Sequence, residues 1–260
     1  MNRSEQFPLI VAHRGASGDA PENTIAAFRL AREVGAEGIE FDVRISADKV
    51  PFVFHDSDLK RICKIDAKFN RLTAAEISTL DAGSWFKRGS KNFAGENVPR
   101  FDDTLDFLSD YEGVIFIEIK GKHGEIEETV KAIAPVINNS ALKPQIIVKS
   151  FKSEAISPLR KYCPDVKVAG LFARKIIPVL NSKARLVEHA KELGVDELSL
   201  HHSLAKRSLM ARAKAETLPV AVWTNDRKRF VAQAAKLGIR YILTNYPEKL
   251  LKKRRKLFGF

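Results

Sequence analysis

Two hydrophobic rhythms alternate along the chain. Short apolar runs, some continuous and some with a polar residue at every second place, are separated by longer stretches in which apolar residues recur every three or four positions. The first rhythm is that of β-strands, the second that of amphipathic helices. Leu9, Ile10 and Val11 read as a doubly buried parallel strand. Gly38 to Ile45 alternates strictly, with Ile39, Phe41, Val43 and Ile45 on one face and Glu40, Asp42 and Arg44 on the other. Further strands are predicted at Val114–Lys120, Gln145–Phe151, Val166–Phe172, Glu197–His202, Pro219–Asn225 and Tyr241–Asn245. Helical patterns fall between them, at Glu125–Val136, Glu154–Tyr162, Ala184–Leu193, Leu204–Ala215 and Arg227–Leu237. Eight strands, most of them followed by a helix, predict an α/β chain folded as a (β/α)8 TIM barrel. An open doubly wound sheet would offer a GxGxxG turn after its first strand, and none is present.

Local signals refine that outline. Gly15 lets the chain leave the first strand sharply, and Asn23 or Thr24 is placed to cap a helix starting at Ile25. After a turn at Ala47-Asp48-Lys49, the extended segment Pro51–Asp56 carries His55 and Asp56 outward. From residue 57 to about 100 no period is sustained, which predicts a small insertion after the second strand. No linker divides residues 1–260, so a single domain is expected.

Composition narrows the class. With 45% hydrophobic residues a large core is attainable. No segment nears the roughly 18 apolar residues of a membrane span, and Met1–Pro8 is too polar for a signal peptide, so no stable membrane insertion and a cytoplasmic location are expected. Cys63 and Cys163 belong to no CxxC or Cys/His cluster and read as ordinary reduced thiols. The net charge of +12 suits an anionic partner, yet its lysines and arginines are not interleaved with aromatics and no nucleic-acid motif occurs. Only LKKRRKLFGF at the C-terminus is concentrated, as the end of a last helix or a contact for acidic head groups.

In a TIM barrel, function collects at the C-terminal ends of the strands. His13, Arg14, Glu40, Asp42, His55, Glu118, Lys120, Lys149 and Trp223 are found there. Glu40 and Asp42, two apart on one strand, share a face, and Glu118 with Lys120 repeats that geometry. Inside a closed barrel that face is interior, where an unpaired carboxylate costs several kcal/mol. Three converging carboxylates therefore ask for a cation, and an all-oxygen set suits Mg2+ or Ca2+. His13 and His55 fit acid and base work, in either order, and Arg14 and Lys120 fit a phosphate. Together they describe metal-assisted cleavage of a phosphodiester.

The ordered strings HRGASGDAPENT, IEFDVRIS, VFHD, LDAGSWF, GENVP and IEIK, spread over nearly the whole chain, closely resemble the glycerophosphodiester phosphodiesterase family. That resemblance implies hydrolysis of glycerophosphodiesters to sn-glycerol 3-phosphate and an alcohol, with a divalent cation. It implies that His13 and His55 are catalytic, that Glu40, Asp42 and Glu118 hold the metal, and that Arg14 and Lys120 contact the phosphate. Trp223 is expected as an aromatic wall for the glycerol or leaving group, or as plain barrel packing. Asn245 stands where the family commonly has Asp, and Arg100 where a smaller residue is usual. Lysophospholipase D activity is the alternative within the same barrel, and a head-group binder the alternative without catalysis; the latter should have lost a histidine or carboxylate.

Overall fold

The computed structural model describes residues 7–89, 91–176 and 184–259; most of the polar stretch Met1–Pro8, Ser90 within the insertion and Phe260 lie outside them. Strand β1 (Leu9–His13) is followed by α1 (Ile25–Glu33), β2 (Gly38–Ile45) and β3 (Pro51–Val53). Two short helices, α2 (Lys60–Cys63) and α3 (Ala74–Ser78), lead to α4 (Phe101–Phe107). The chain then alternates through β4 (Val114–Ile119), α5 (Glu125–Asn139), β5 (Ile146–Ser150), α6 (Ile156–Tyr162) and β6 (Lys167–Phe172). It continues through α7 (Ala184–Glu192), β7 (Glu197–His201), α8 (Arg207–Ala215), β8 (Val220–Trp223), α9 (Phe230–Leu237), β9 (Tyr241–Thr244) and α10 (Pro247–Phe258).

Every strand except β3 is parallel to its neighbours, in the order β1-β9-β8-β7-β6-β5-β4-β2, and β2 pairs again with β1. The sheet is thus a closed barrel of eight parallel strands, as the alternating pattern predicts. Closure divides the apolar residues by parity. Ile39, Phe41, Val43, Ile115, Ile117, Val148, Leu198 and Leu200 face outward to the helices. Val11, Phe116, Ile147, Ala169, Ala221, Tyr241 and Leu243 fill the interior. The same inward parity brings His13, Glu40, Asp42, Glu118 and Lys149 to the C-terminal half of that interior, because His13 pairs with Glu40, Asp42 with Glu118, and Glu118 with Lys149.

β3 turns back antiparallel on β2, with Val43 opposite Val53. It starts a separate apolar cluster of Phe52, Phe54, Leu59, Ile62, Phe69, Ile77 and Val98, so the insertion has a core of its own. Its helices are of four and five residues, too short to show a period in sequence. At the other end, α10 is anchored through Arg254, which is buried, paired with Glu37 and donates to the Pro8 carbonyl. The basic C-terminal run is therefore largely a helix end. Cys63 and Cys163 are free thiols, and burial pushes both up to about 11. No helix among the described residues is long and apolar enough to cross a membrane.

Candidate active site

The turn after β1 is built from two left-handed residues, Arg14 (φ 57°) and Gly15 (φ 76°). A side chain on Gly15 would lie 2.7 Å from Ala27 of α1, so both conformation and space require glycine. This turn aims the Arg14 amide at Glu40, whose Oε2 accepts it at 2.9 Å. Thr24 is the helix cap, accepting from the Ala27 amide. Asn23, also left-handed, does different work: its Nδ2 donates to Asp42 Oδ2 at 2.9 Å and its Oδ1 accepts from the Asp42 amide.

Glu40, Asp42 and Glu118 are all buried, and one ligand atom from each lies within 4.8 Å of the others. Glu40 and Asp42 each have one oxygen fixed by the protein. Arg14 N–H holds Glu40 Oε2, while Asn23, with Arg14 Nε at 3.1 Å, holds Asp42 Oδ2. The other two oxygens, Glu40 Oε1 and Asp42 Oδ1, accept no well-directed hydrogen bond among the described residues. Lysine ammoniums compensate their charge, Lys149 at 2.8 Å from Glu40 and Lys120 at 3.2 Å from Asp42. Lys120 also pairs with Glu118. Burial favours the neutral acids, but Lys149 and His13 overcome it to hold Glu40 below its ordinary value, and Lys120, Arg14 and His55 hold Asp42 well below. Burial likewise opposes the Lys120 charge, and Asp42 and Glu118 outweigh it. Glu40 and Asp42 are thus held as hard carboxylates, each with a buried oxygen that faces a lysine ammonium without a well-directed hydrogen bond. Those are donors that fit a divalent cation.

The two histidines face acceptor oxygens of unlike charge, a neutral amide for His13 and a carboxylate for His55. His13 Nδ1 lies 2.8 Å from Asn245 Oδ1. Asp226 accepts from the Asn245 backbone amide, from its Nδ2 and from Thr244 Oγ1, at 2.8, 3.0 and 2.7 Å. A carboxylate only accepts, so the amide nitrogen of Asn245 faces Asp226 and its oxygen faces His13. His13 must then carry its proton on Nδ1, leaving Nε2 as the base, 3.9 Å from Glu40. Burial, helped by Arg14 and Lys149, lowers its pKa despite Glu40. His55, the more exposed of the two, has its Nδ1 2.7 Å from Asp56 Oδ1. Asp56 in turn accepts from Arg61 Nε. Burial, overcome by His55 and Arg61, leaves Asp56 strongly acidic.

Arg14 and Lys120 are both at this site, each engaged by carboxylates; Arg14 also meets Glu22 at 2.8 Å. Trp223 packs edge-on against Phe151 and His201, with centroids 5.4 and 5.2 Å apart, and its buried Nε1 has no acceptor among the described residues. Arg100 is elsewhere: it pairs with Asp102 and lies over Phe52, so it is a surface arginine of the insertion. Sequence reasoning left Lys149 undecided. Its place in phase with the interior Ile147, on a strand paired with Glu118, was the available signal. The partners Glu22, Asp56, Arg61 and Asp226 were not singled out as such, because each acts through a residue far along the chain or through a side-chain orientation.

Inward carboxylates, cations and two histidines at the C-terminal end of a parallel barrel define a class of TIM-barrel site suited to a phosphorylated ligand. A sequence profile described as the glycerophosphoryl diester phosphodiesterase family matches residues 13–249. A glycerophosphodiester phosphodiesterase of Caldanaerobacter subterraneus is 32% identical over 254 residues, covering 95% of this chain and 98% of that protein. The putative glycerophosphodiester phosphodiesterase YhdW of Bacillus subtilis is 30% identical, covering 94% and 96%. Among solved structures, an Oleispira antarctica phosphodiesterase in complex with the product sn-glycerol-3-phosphate superposes with a TM-score of 0.86 at 27% identity, covering 95% of this chain and 97% of that one. The chain belongs to the glycerophosphoryl diester phosphodiesterase family.

Proposed function

We propose that this protein hydrolyses glycerophosphodiesters to sn-glycerol 3-phosphate and an alcohol, with Glu40, Asp42 and Glu118 holding a divalent cation, Mg2+ or Ca2+. The supporting observation is the pair of histidines with unlike partners beside a buried carboxylate trio, two of whose oxygens accept no well-directed hydrogen bond among the described residues. When bound, the cation would supply positive charge for the phosphoryl oxygens. Arg14 and Lys120 add to that charge and orient the phosphate.

His13, kept neutral with its base at Nε2, removes the proton of the glycerol hydroxyl next to the phosphorylated carbon. That oxygen attacks phosphorus, and the bond from phosphorus to the alcohol breaks. His55 gives the departing oxygen its proton; the carboxylate of Asp56 is placed to stabilise the imidazolium beforehand. The roles then reverse: His55 takes a proton from water, the water oxygen opens the cyclic phosphate, and His13 returns its proton to the glycerol oxygen. Holding the hydroxyl near phosphorus makes the attack effectively unimolecular, worth roughly 7 to 11 kcal/mol. Trp223 walls the glycerol or leaving group, and the insertion, residues 57 to about 100 of a single domain spanning 1–260, shapes the leaving-group side. A cytoplasmic location belongs to the same reading.

A panel of glycerophosphocholine, glycerophosphoethanolamine, glycerophosphoglycerol and a lysophospholipid, each with Mg2+ and with Ca2+, tests the substrate class. Turnover of the deacylated diesters is expected; turnover of the lysophospholipid alone would overturn it. A substrate lacking only the neighbouring hydroxyl tests the route. Hydrolysis at a similar rate would assign the attack to water instead.

A further inference from the structure

The positive charge of the chain is not evenly spread. Residues 174–260 contain twenty of the 44 lysines and arginines and only seven of the 32 acids, so this stretch accounts for the whole excess of +12. Part of it gathers at the barrel mouth. The loops that follow β6, β7 and β8 and the start of α10 all open on the C-terminal face, and they present Arg174, Lys175, Lys206, Arg207, Arg227, Lys228, Arg229 and Lys249, all exposed. None of these eight forms an ion pair among the described residues. The acids of the same segments are occupied, Asp226 by Asn245 and Thr244, and Glu248 by Lys252.

Their position opposes what helix stability asks for. Lys206 and Arg229 are the N-cap residues of α8 and α9, Arg207 opens α8, and neither helix has an acid in its first turn or a side-chain cap. Cations there meet the positive end of the helix dipole and are unfavourable without an external anion. By contrast α4 and α5 begin with acids. Beside these cations Phe151, 44% exposed, stands against Trp223 at the same mouth.

We propose that this half of the mouth docks on an anionic lipid surface, with the basic loops on the head groups and Phe151 at the acyl boundary. Segments that share one face touch a plane together, and unpaired cations around an exposed aromatic suit acidic lipids. A nucleic acid would call for aromatic faces open to stacked bases among the cations; Tyr246 is already covered by Lys249 and Arg88, and Phe151 and Trp223 are packed edge to face on each other. The docking turns the site toward the membrane without any spanning segment.

Co-sedimentation with vesicles tests it. The full chain should bind vesicles of three parts phosphatidylcholine to one part phosphatidylglycerol, lose them in high salt, and ignore phosphatidylcholine alone. Reversing Arg227→Glu, Lys228→Glu and Arg229→Glu together should weaken binding roughly a hundredfold or more. Reversing Lys214→Glu, Arg255→Glu and Lys256→Glu, equal in charge but at the opposite end of the barrel, should change it only a few-fold. Thermal unfolding rather than turnover confirms that both variants fold, so the result stands whether or not the proposed reaction is right. No binding by the wild type, equal loss in the two variants, or capture of duplex DNA in place of vesicles by the same three cations would each overturn the proposal.

Discussion

The two ends of the barrel interior solve opposite problems with the same inward parity. Toward the C-terminal end, Glu40, Asp42 and Glu118 are buried beside Arg14, Lys120 and Lys149, so each charge has a counter-charge. Toward the N-terminal end the interior is Val11, Phe116, Ile147, Ala221 and Tyr241, an apolar core in which Glu197 is the one buried acid among the described residues. Glu197 has no ion-pair partner among the described residues, and burial pushes its pKa up to about 8. A buried carboxylate kept ionised needs cations at close range; without them it takes up a proton. The polar end is thus organised for charge, and the apolar end for stability.

The largest expected effect is on turnover. His13→Ala and His55→Ala should each lower the rate by about 10² to 10⁴, the usual worth of a positioned acid or base, while unfolding by urea stays near wild type. A variant of either with near-normal turnover of an unactivated substrate would remove that histidine from the reaction. Next comes Lys149→Met in the metal-free protein, which leaves Glu40 without its closest cation. A loss of about 3–5 kcal/mol is expected from urea unfolding; a loss below about 1 kcal/mol would show that Lys149 is not what balances the buried charge.

At the apolar end the sign reverses. Glu197 has a folded pKa of about 8, above its ordinary 4.5, so the folded state holds a proton that the unfolded chain releases between those values. Its penalty is absent below about pH 4.5, grows as pH rises toward 8, and is constant above. Glu197→Gln should therefore raise stability at pH 9 relative to wild type by roughly 2–4 kcal/mol and leave it little changed at pH 4. A gain that is the same at both pH values would contradict the protonated carboxyl. The smallest effect is outside both ends: Arg100→Ala, at an exposed ion pair, should change stability and substrate ranking by no more than about 0.5 kcal/mol. A reordered substrate panel would show that Arg100 helps to select the alcohol.

Legibility in the sequence follows the range of the interaction. The strands were readable because side-chain direction has a period of two, and the same rule placed Glu40 with Asp42 on one face before any barrel was seen. His13 and His55 were readable as strand-end residues. Lys149 was readable as a strand-end residue too, but its role was not, since its counter-charges lie on β2 and β4 and only the register brings them near. Asn23 read as a possible cap, and nothing local showed that a left-handed backbone would turn its amide onto Asp42. Nor could sequence orient the Asn245 amide, which is set by Asp226 nineteen residues earlier. The insertion showed no period because its helices are single turns around a core formed partly by β3.

The most direct test of the charged end as a metal-dependent site is turnover of glycerophosphoglycerol by protein freed of metal, followed as Mg2+ or Ca2+ is restored, with Asp42→Asn in parallel. The account predicts no turnover in excess chelator, recovery with one of the two ions, and an Asp42→Asn protein that folds but needs far more of that ion. Full turnover in chelator after metal-free preparation would contradict it.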